Sequence, residues 1–132
     1  PVNLRHQGGE AYYEPTADRV TMPPASLFNG FDHYYATLAH ELSHWTGHAS
    51  RLGRDLKNRF GTAAYAAEEL VAELGAHFLA AEFDMEATTT KDTARYLSDW
   101  IQLLENDNKA IFTAGALAAD AVDFTMNLAL AY

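Results

Sequence analysis

Apolar and polar residues follow two rhythms along this chain, and each predicts a different kind of element. In the first thirty residues Gly8-Gly9, Pro15 and Pro23-Pro24 recur too often for a long helix, which leaves strands and loops. Ala11-Tyr12-Tyr13 and Arg19-Val20-Thr21-Met22 favour extended backbone and flank Glu14-Pro15-Thr16-Ala17-Asp18, a turn-like connection, so a β-hairpin is expected. After Phe28-Asn29-Gly30 the period becomes helical. Tyr34, Leu38, Leu42 and Trp45 form one apolar stripe, with Asp32 as the expected N-cap and Gly47 as the expected stop.

A second helix is predicted from the cap at Gly61-Thr62 to about Phe83. Leu70, Leu74 and Phe78 form its inward stripe, and Gly75 permits close approach of a neighbour. A third, from about Asp92 to Leu104, turns Tyr96, Trp100, Leu103 and Leu104 inward and is broken by Asn106-Asp107-Asn108. The run Ala110 to Tyr132 is the most apolar of the chain, but Asp120, Asp123 and Asn127 share one stripe, so it reads as an amphipathic helix and not a membrane span. The segment carrying Arg51, Arg54, Lys57 and Arg59 reads as a solvated loop or short helix. The expected class is α+β, a small amino-terminal β-hairpin or sheet followed by about four helices.

With 132 residues, no repeat and no linker, the chain is expected to form a single domain, 1–132. Nine Lys and Arg against eighteen Asp and Glu give a net charge of −9, which disfavours direct binding of a phosphate backbone. The absence of cysteine removes disulfides, thiol catalysis and Cys-based metal sites, so any metal must bind through His, Asp or Glu. The start, Pro1-Val2-Asn3-Leu4, lacks an initiator Met and a signal-peptide pattern, and reads as part of a longer protein.

His40-Glu41-Leu42-Ser43-His44 is an H-E-x-x-H motif inside the first strong helical pattern, the context that motif requires. Residues four apart are about 40° apart around the axis and one turn apart along it, so both imidazoles can reach one ion, with Glu41 beside them as general base. A catalytic zinc site usually has a third protein ligand. His48 is one candidate, but Gly47 ends the helix before it and Ser50 stands where the metzincin pattern wants a histidine. Glu68, Glu69 and Glu73 of the second helix are better candidates. Glu69 and Glu73 stack one turn apart on a helix with little polar face to spare, and a cation would compensate their repulsion. Glu69 is assigned as third ligand and Glu73 as the acceptor that orients a ligand histidine. Spacing alone leaves the reverse assignment open.

The segment His40 to His48, then Arg51-Leu52, then Tyr65 to Ala76, with Ala11-Tyr12-Tyr13 upstream and Tyr96 to Trp100 and Ala110-Ile111-Phe112 downstream, resembles the zincin-like metallopeptidase domain at the carboxyl end of ArdC-type antirestriction proteins. The resemblance implies a gluzincin-type fold with the metal site between the first two long helices. It further implies Zn2+ held by His40, His44 and a Glu of the second helix, Glu41 as base, and a protein or peptide as substrate. It also implies that single-stranded DNA is bound only through an amino-terminal domain lying outside this chain. Proteins of this kind are carried on plasmids and phages and act inside the bacterial cell, so a cytoplasmic location without membrane contact is expected. An oxyanion donor is needed too. Tyr65, His77, Tyr96 and His33 are candidates that spacing does not separate, and Tyr65 is carried forward. Two other classes of function fit the sequence: a catalytically silent module whose metal only staples two helices, and an acidic DNA mimic.

Overall fold

The predicted hairpin forms the sheet's antiparallel half. Strand β2 (Tyr12–Glu14) pairs with β3 (Arg19–Met22), placing Tyr12 opposite Thr21 and Glu14 opposite Arg19. An Arg19–Glu14 ion pair of 2.7 Å ties the end of the hairpin. On the other side of β3 lies an unexpected parallel strand, β1 (Asn3–His6), which gives the order β1-β3-β2. Exposed along its length, β1 has no apolar alternation to announce it. The computed structural model describes residues 1–131. The side chain of Asp92, and Tyr132 at the end of the predicted apolar run, lie outside the described residues.

Among the described residues four α-helices follow: α1 (Phe31–Thr46), α2 (Ala63–Glu82), α3 (Lys91–Asn106) and α4 (Ala110–Leu130). The α+β expectation holds. The cap of α1 is Gly30, not Asp32. Its φ of 96° is a conformation glycine adopts without Cβ strain, while Asp32 sits two residues further on in the first turn, where its charge complements the helix dipole. Gly47 closes α1 as expected, and the Thr62 hydroxyl opens α2 by accepting the Tyr65 N–H at 3.2 Å.

Two apolar clusters hold these elements. Val20 and Met22, fully buried on central strand β3, meet Tyr34 and Trp45 of α1, with Phe124 and Leu128 of α4 closing the far side. Burying each such side chain contributes about 1.5–3 kcal/mol. Ala66, Leu70 and Val71 of α2 meet Tyr96 and Trp100 of α3 and Ala114 and Ala118 of α4. The Trp100 indole N–H donates to the Ala66 carbonyl at 3.1 Å. The predicted stripe of α2 needs correction at Phe78, which is exposed. The buried face continues instead through Ala72, Ala76 and Leu79. A helix covered on two sides, here by α1 and α4, buries a broad arc and not a single four-residue line. Gly75 fulfils its predicted role, since a Cβ there would collide with Ser43 of α1. Asp120, Asp123 and Asn127 lie on the exposed face of α4, and no described helix is long and apolar enough to cross a membrane.

The connection 47–62 is irregular but is not the solvated loop expected at its first two cations. Arg51 stacks 3.8 Å above the Trp45 ring, donates to the Trp45 carbonyl at 2.7 Å and pairs with Asp18 at the hairpin end. Arg54 is tucked beneath α1, donating to the Ser43 carbonyl at 2.6 Å and the Thr46 hydroxyl at 3.1 Å. Both side chains are nearly buried. A flexible-looking charge run thus becomes two internal fasteners.

Candidate metal centre

Because α1 and α2 lie face to face, the stripe His40–His44 of one meets the stripe Glu69–Glu73 of the other. Nε2 of His40 lies 3.2 Å from one oxygen of Glu69, and Nε2 of His44 lies 3.2 Å from its other oxygen. Ligand atoms of His40, His44 and Glu69 all fall within 4.8 Å of one another. Glu73 is on the opposite side of the His40 ring, its carboxylate 3.2 Å from Nδ1. It is fixed there by the Thr93 hydroxyl at 2.5 Å and by His77 at 3.2 Å.

Sequence reasoning named Glu68 among the candidates for third ligand but assigned it no role. The structure sets it 3.1 Å from Nδ1 of His44, with Arg54 bracing it through two contacts of 3.0 Å. Each histidine therefore has its Nδ1 on a carboxylate and its Nε2 on the shared Glu69. Adjacency to Glu69 was the available signal for Glu68, but no local spacing connects it to Arg54. With each Nδ1–H donated, each ring turns Nε2 towards Glu69, and either a second proton or a cation must lie between that nitrogen and the carboxylate.

The electrostatics carry the same demand. Burial pushes His40 down, but hydrogen bonds to Glu69 and Glu73 outweigh it and raise its pKa well above the ordinary imidazole value. His44 is likewise opposed by burial and raised to about 9 by Glu68 and Glu69. Burial acts upward on Glu68, Glu69 and Glu73, yet their hydrogen bonds to the histidines and other donors hold all three below the usual carboxylate range. Positive charge between the helices, as protons or as a metal ion, is what keeps these carboxylates ionised.

Glu41 is buried beside His40 and lines a cleft of about 790 Å³ with His40, His44, Glu68 and Glu69. Strand β2, at the edge of the sheet, forms one wall with Tyr12 and Tyr13. Tyr65, Tyr96 and His33 also line the cleft, whereas His77 sits behind Glu73 against a much smaller cavity. The Tyr65 and Tyr96 hydroxyls are 3.0 Å apart, and burial raises both above the ordinary phenol value. His48 takes no part in this grouping and hydrogen-bonds Ser50 instead.

A family model described as zincin-like metallopeptidase matches residues 1–117. The chain belongs to that family. Among solved structures, this zincin-like domain is similar to the antirestriction protein ArdC from plasmid R388. The Mn(II)-bound structure superposes with a TM-score of 0.85 at 38% identity, covering 96% of this chain and 47% of that one. The metal-free structure gives 0.86 at the same identity, over 99% and 47%. Among sequences, the uncharacterized protein y4eC of Sinorhizobium fredii is 42% identical over 123 residues, 93% of this chain and 40% of that protein. A DNA primase TraC of Escherichia coli is 41% identical over 126 residues, 95% of this chain and 12% of that protein. The zincin-like chain thus spans less than half the length of each of these relatives. Metal binding is supported from two sides: the relative's Mn(II)-bound structure and the His–His–Glu grouping of this chain.

Proposed function

We propose that this zincin-like domain is a zinc-dependent peptidase in which His40, His44 and Glu69 hold the ion. The observation that carries the reading is the convergence of two imidazoles and one carboxylate within 4.8 Å, at the floor of a peptide-sized cleft and next to Glu41. Two neutral nitrogens and one anionic oxygen, each histidine backed by a carboxylate, are the donor set of a catalytic zinc site. When bound, such an ion polarises the scissile carbonyl and acidifies water.

This chain's own residues account for the remaining work. Glu41 takes the proton of the attacking water and returns it to the leaving amine. Glu73 and Glu68 keep the His40 and His44 rings in the tautomer that turns Nε2 towards Glu69. The Tyr65 hydroxyl, on the cleft wall, donates to the oxygen that becomes negative as water adds. An extended peptide lies along edge strand β2, which offers main-chain groups to it.

In the whole protein, the reading is of an antirestriction factor of a mobile element, working in the bacterial cytoplasm. Protein is its substrate, and single-stranded DNA is engaged by sequence beyond this domain. The test is metal analysis of protein purified without added metal, followed by a peptide-library digest. One equivalent of zinc and cleavage abolished by chelator support the peptidase. Bound zinc without cleavage of any peptide overturns it in favour of a metal-stapled module.

A further inference from the structure

We propose that the α3 wall of the cleft selects substrates carrying a carboxylate close to the scissile bond; this rests on the peptidase reading. Lys91 and Arg95 are the Lys and Arg side chains that line the cleft among the described residues. They are four apart on α3, hence neighbours on one helical face about one turn apart. The chain has few cations to place. Arg19, Arg51 and Arg54 are held in ion pairs within the fold, and the chain as a whole carries −9. Two basic side chains on α3 thus line a cleft that is otherwise made acidic by Glu10, Glu41, Glu68 and Glu69.

The wall is also shaped. The Arg95 guanidinium lies 5.3 Å from the Phe60 ring centre and 5.5 Å from that of Tyr96, and the Tyr96 hydroxyl is 3.0 Å from that of Tyr65. A chain of direct contacts thus joins Arg95 through Tyr96 to Tyr65, on the same helix as Glu69. Resting on aromatic faces restricts the guanidinium and leaves its N–H edge for a partner. A carboxylate is the group a peptide brings that matches it, from an Asp or Glu side chain or from the chain terminus. Nucleic acid phosphate is disfavoured, because a backbone-tracking groove needs many cations and the remaining surface is acidic.

The test measures binding, not turnover, to the zinc-loaded chain. The probes are short alanine peptides extended in either direction from a metal-binding hydroxamate. One set carries Glu with an amidated end, a second Gln with an amidated end, and a third Gln with a free terminal carboxylate. The Glu probe is expected to bind about tenfold more tightly than the amidated Gln probe at 0.15 M salt. Lys91→Gln with Arg95→Gln, both at exposed positions, should bring the ratio of the two probes near one. A preference for the free terminus over the Glu side chain supports the same wall and assigns the carboxylate to the chain end. Equal binding of all three probes overturns this inference and leaves the metal site standing. Failure of every hydroxamate to bind overturns the peptidase reading with it. Displacement of the Glu probe by an oligothymidine at 0.15 M salt overturns the proposal in favour of phosphate.

Discussion

Glu68 and Glu69, consecutive on α2, face opposite nitrogens of a single ring: Glu68 is 3.1 Å from Nδ1 of His44 and Glu69 is 3.2 Å from its Nε2. One helical step separates the carboxylate proposed to hold the metal from the one proposed to orient the ring. Glu68→Gln should therefore lower metal affinity by about 10–100-fold with the fold intact, as should Glu73→Gln through His40. Glu69→Gln should cost more, and His40→Ala or His44→Ala should abolish binding. Competition with a fluorescent chelator, checked by circular dichroism, measures the order. Normal binding in Glu69→Gln together with loss in Glu73→Gln would exchange their roles.

Glu41→Gln preserves shape and removes the proton acceptor. Zinc content should stay at one equivalent while peptide hydrolysis falls by about 10²–10⁴-fold. Equal kcat in that variant and the parent would take Glu41 out of the reaction.

Gly75→Ala tests the contact between the metal helices. The added methyl meets the Ser43 side chain on α1, three residues from His40, so Ser43 must turn away or α1 and α2 must move apart. A stability loss of about 1–3 kcal/mol is expected, together with weaker metal binding. Urea unfolding of the metal-free and zinc-loaded forms separates the two effects. Unaltered midpoints in both would show that the helices have room to spare.

Asp18 gives the fold an acid-sensitive fastener. Arg51, with Tyr13, holds its carboxyl at about 2 against an ordinary 3.8. A folded pKa below the unfolded one adds stability that is complete above about pH 4 and is lost as the pH falls towards 2. Asp18→Asn should lower Tm at pH 7 and flatten its fall between pH 4 and pH 2. Asn tolerates the left-handed φ of 46° found at this position, so the turn is kept. Parallel Tm curves for variant and parent would remove the Asp18–Arg51 pair from acid stability. The low-lying Glu68, Glu69 and Glu73 act in the same direction in both proteins.

The helices and the H-E-x-x-H motif were legible because their signals are local: periodicity, a Thr cap, a Gly stop, two histidines four apart. Hairpin β2–β3 was legible for the same reason. Strand β1 was not, since its exposed residues are held by main-chain pairing to β3 and carry no pattern of their own. Asp32 has the right chemistry for a cap and lost to Gly30, whose backbone conformation decided the start of α1. Glu69 and Glu73 were separable only in three dimensions, where the rotation of α2 against α1 brings one towards Nε2 of both rings and the other to Nδ1 of His40. The roles of Arg51 and Arg54 depend on where an irregular connection folds back, which charge counting along the sequence does not encode.

That connection has a practical consequence. Trypsin must draw an arginine side chain into its own specificity pocket before it can cut. Arg51 and Arg54 are already engaged, one by Trp45 and Asp18 and the other by Glu68 and the end of α1, whereas Lys57 and Arg59 further along are not held in ion pairs among the described residues. The loop is accordingly a natural footprinting probe. Cleavage after Lys57 or Arg59 reports only that the chain is accessible, while cleavage after Arg54 signals that Glu68 has let go and His44 has lost its brace.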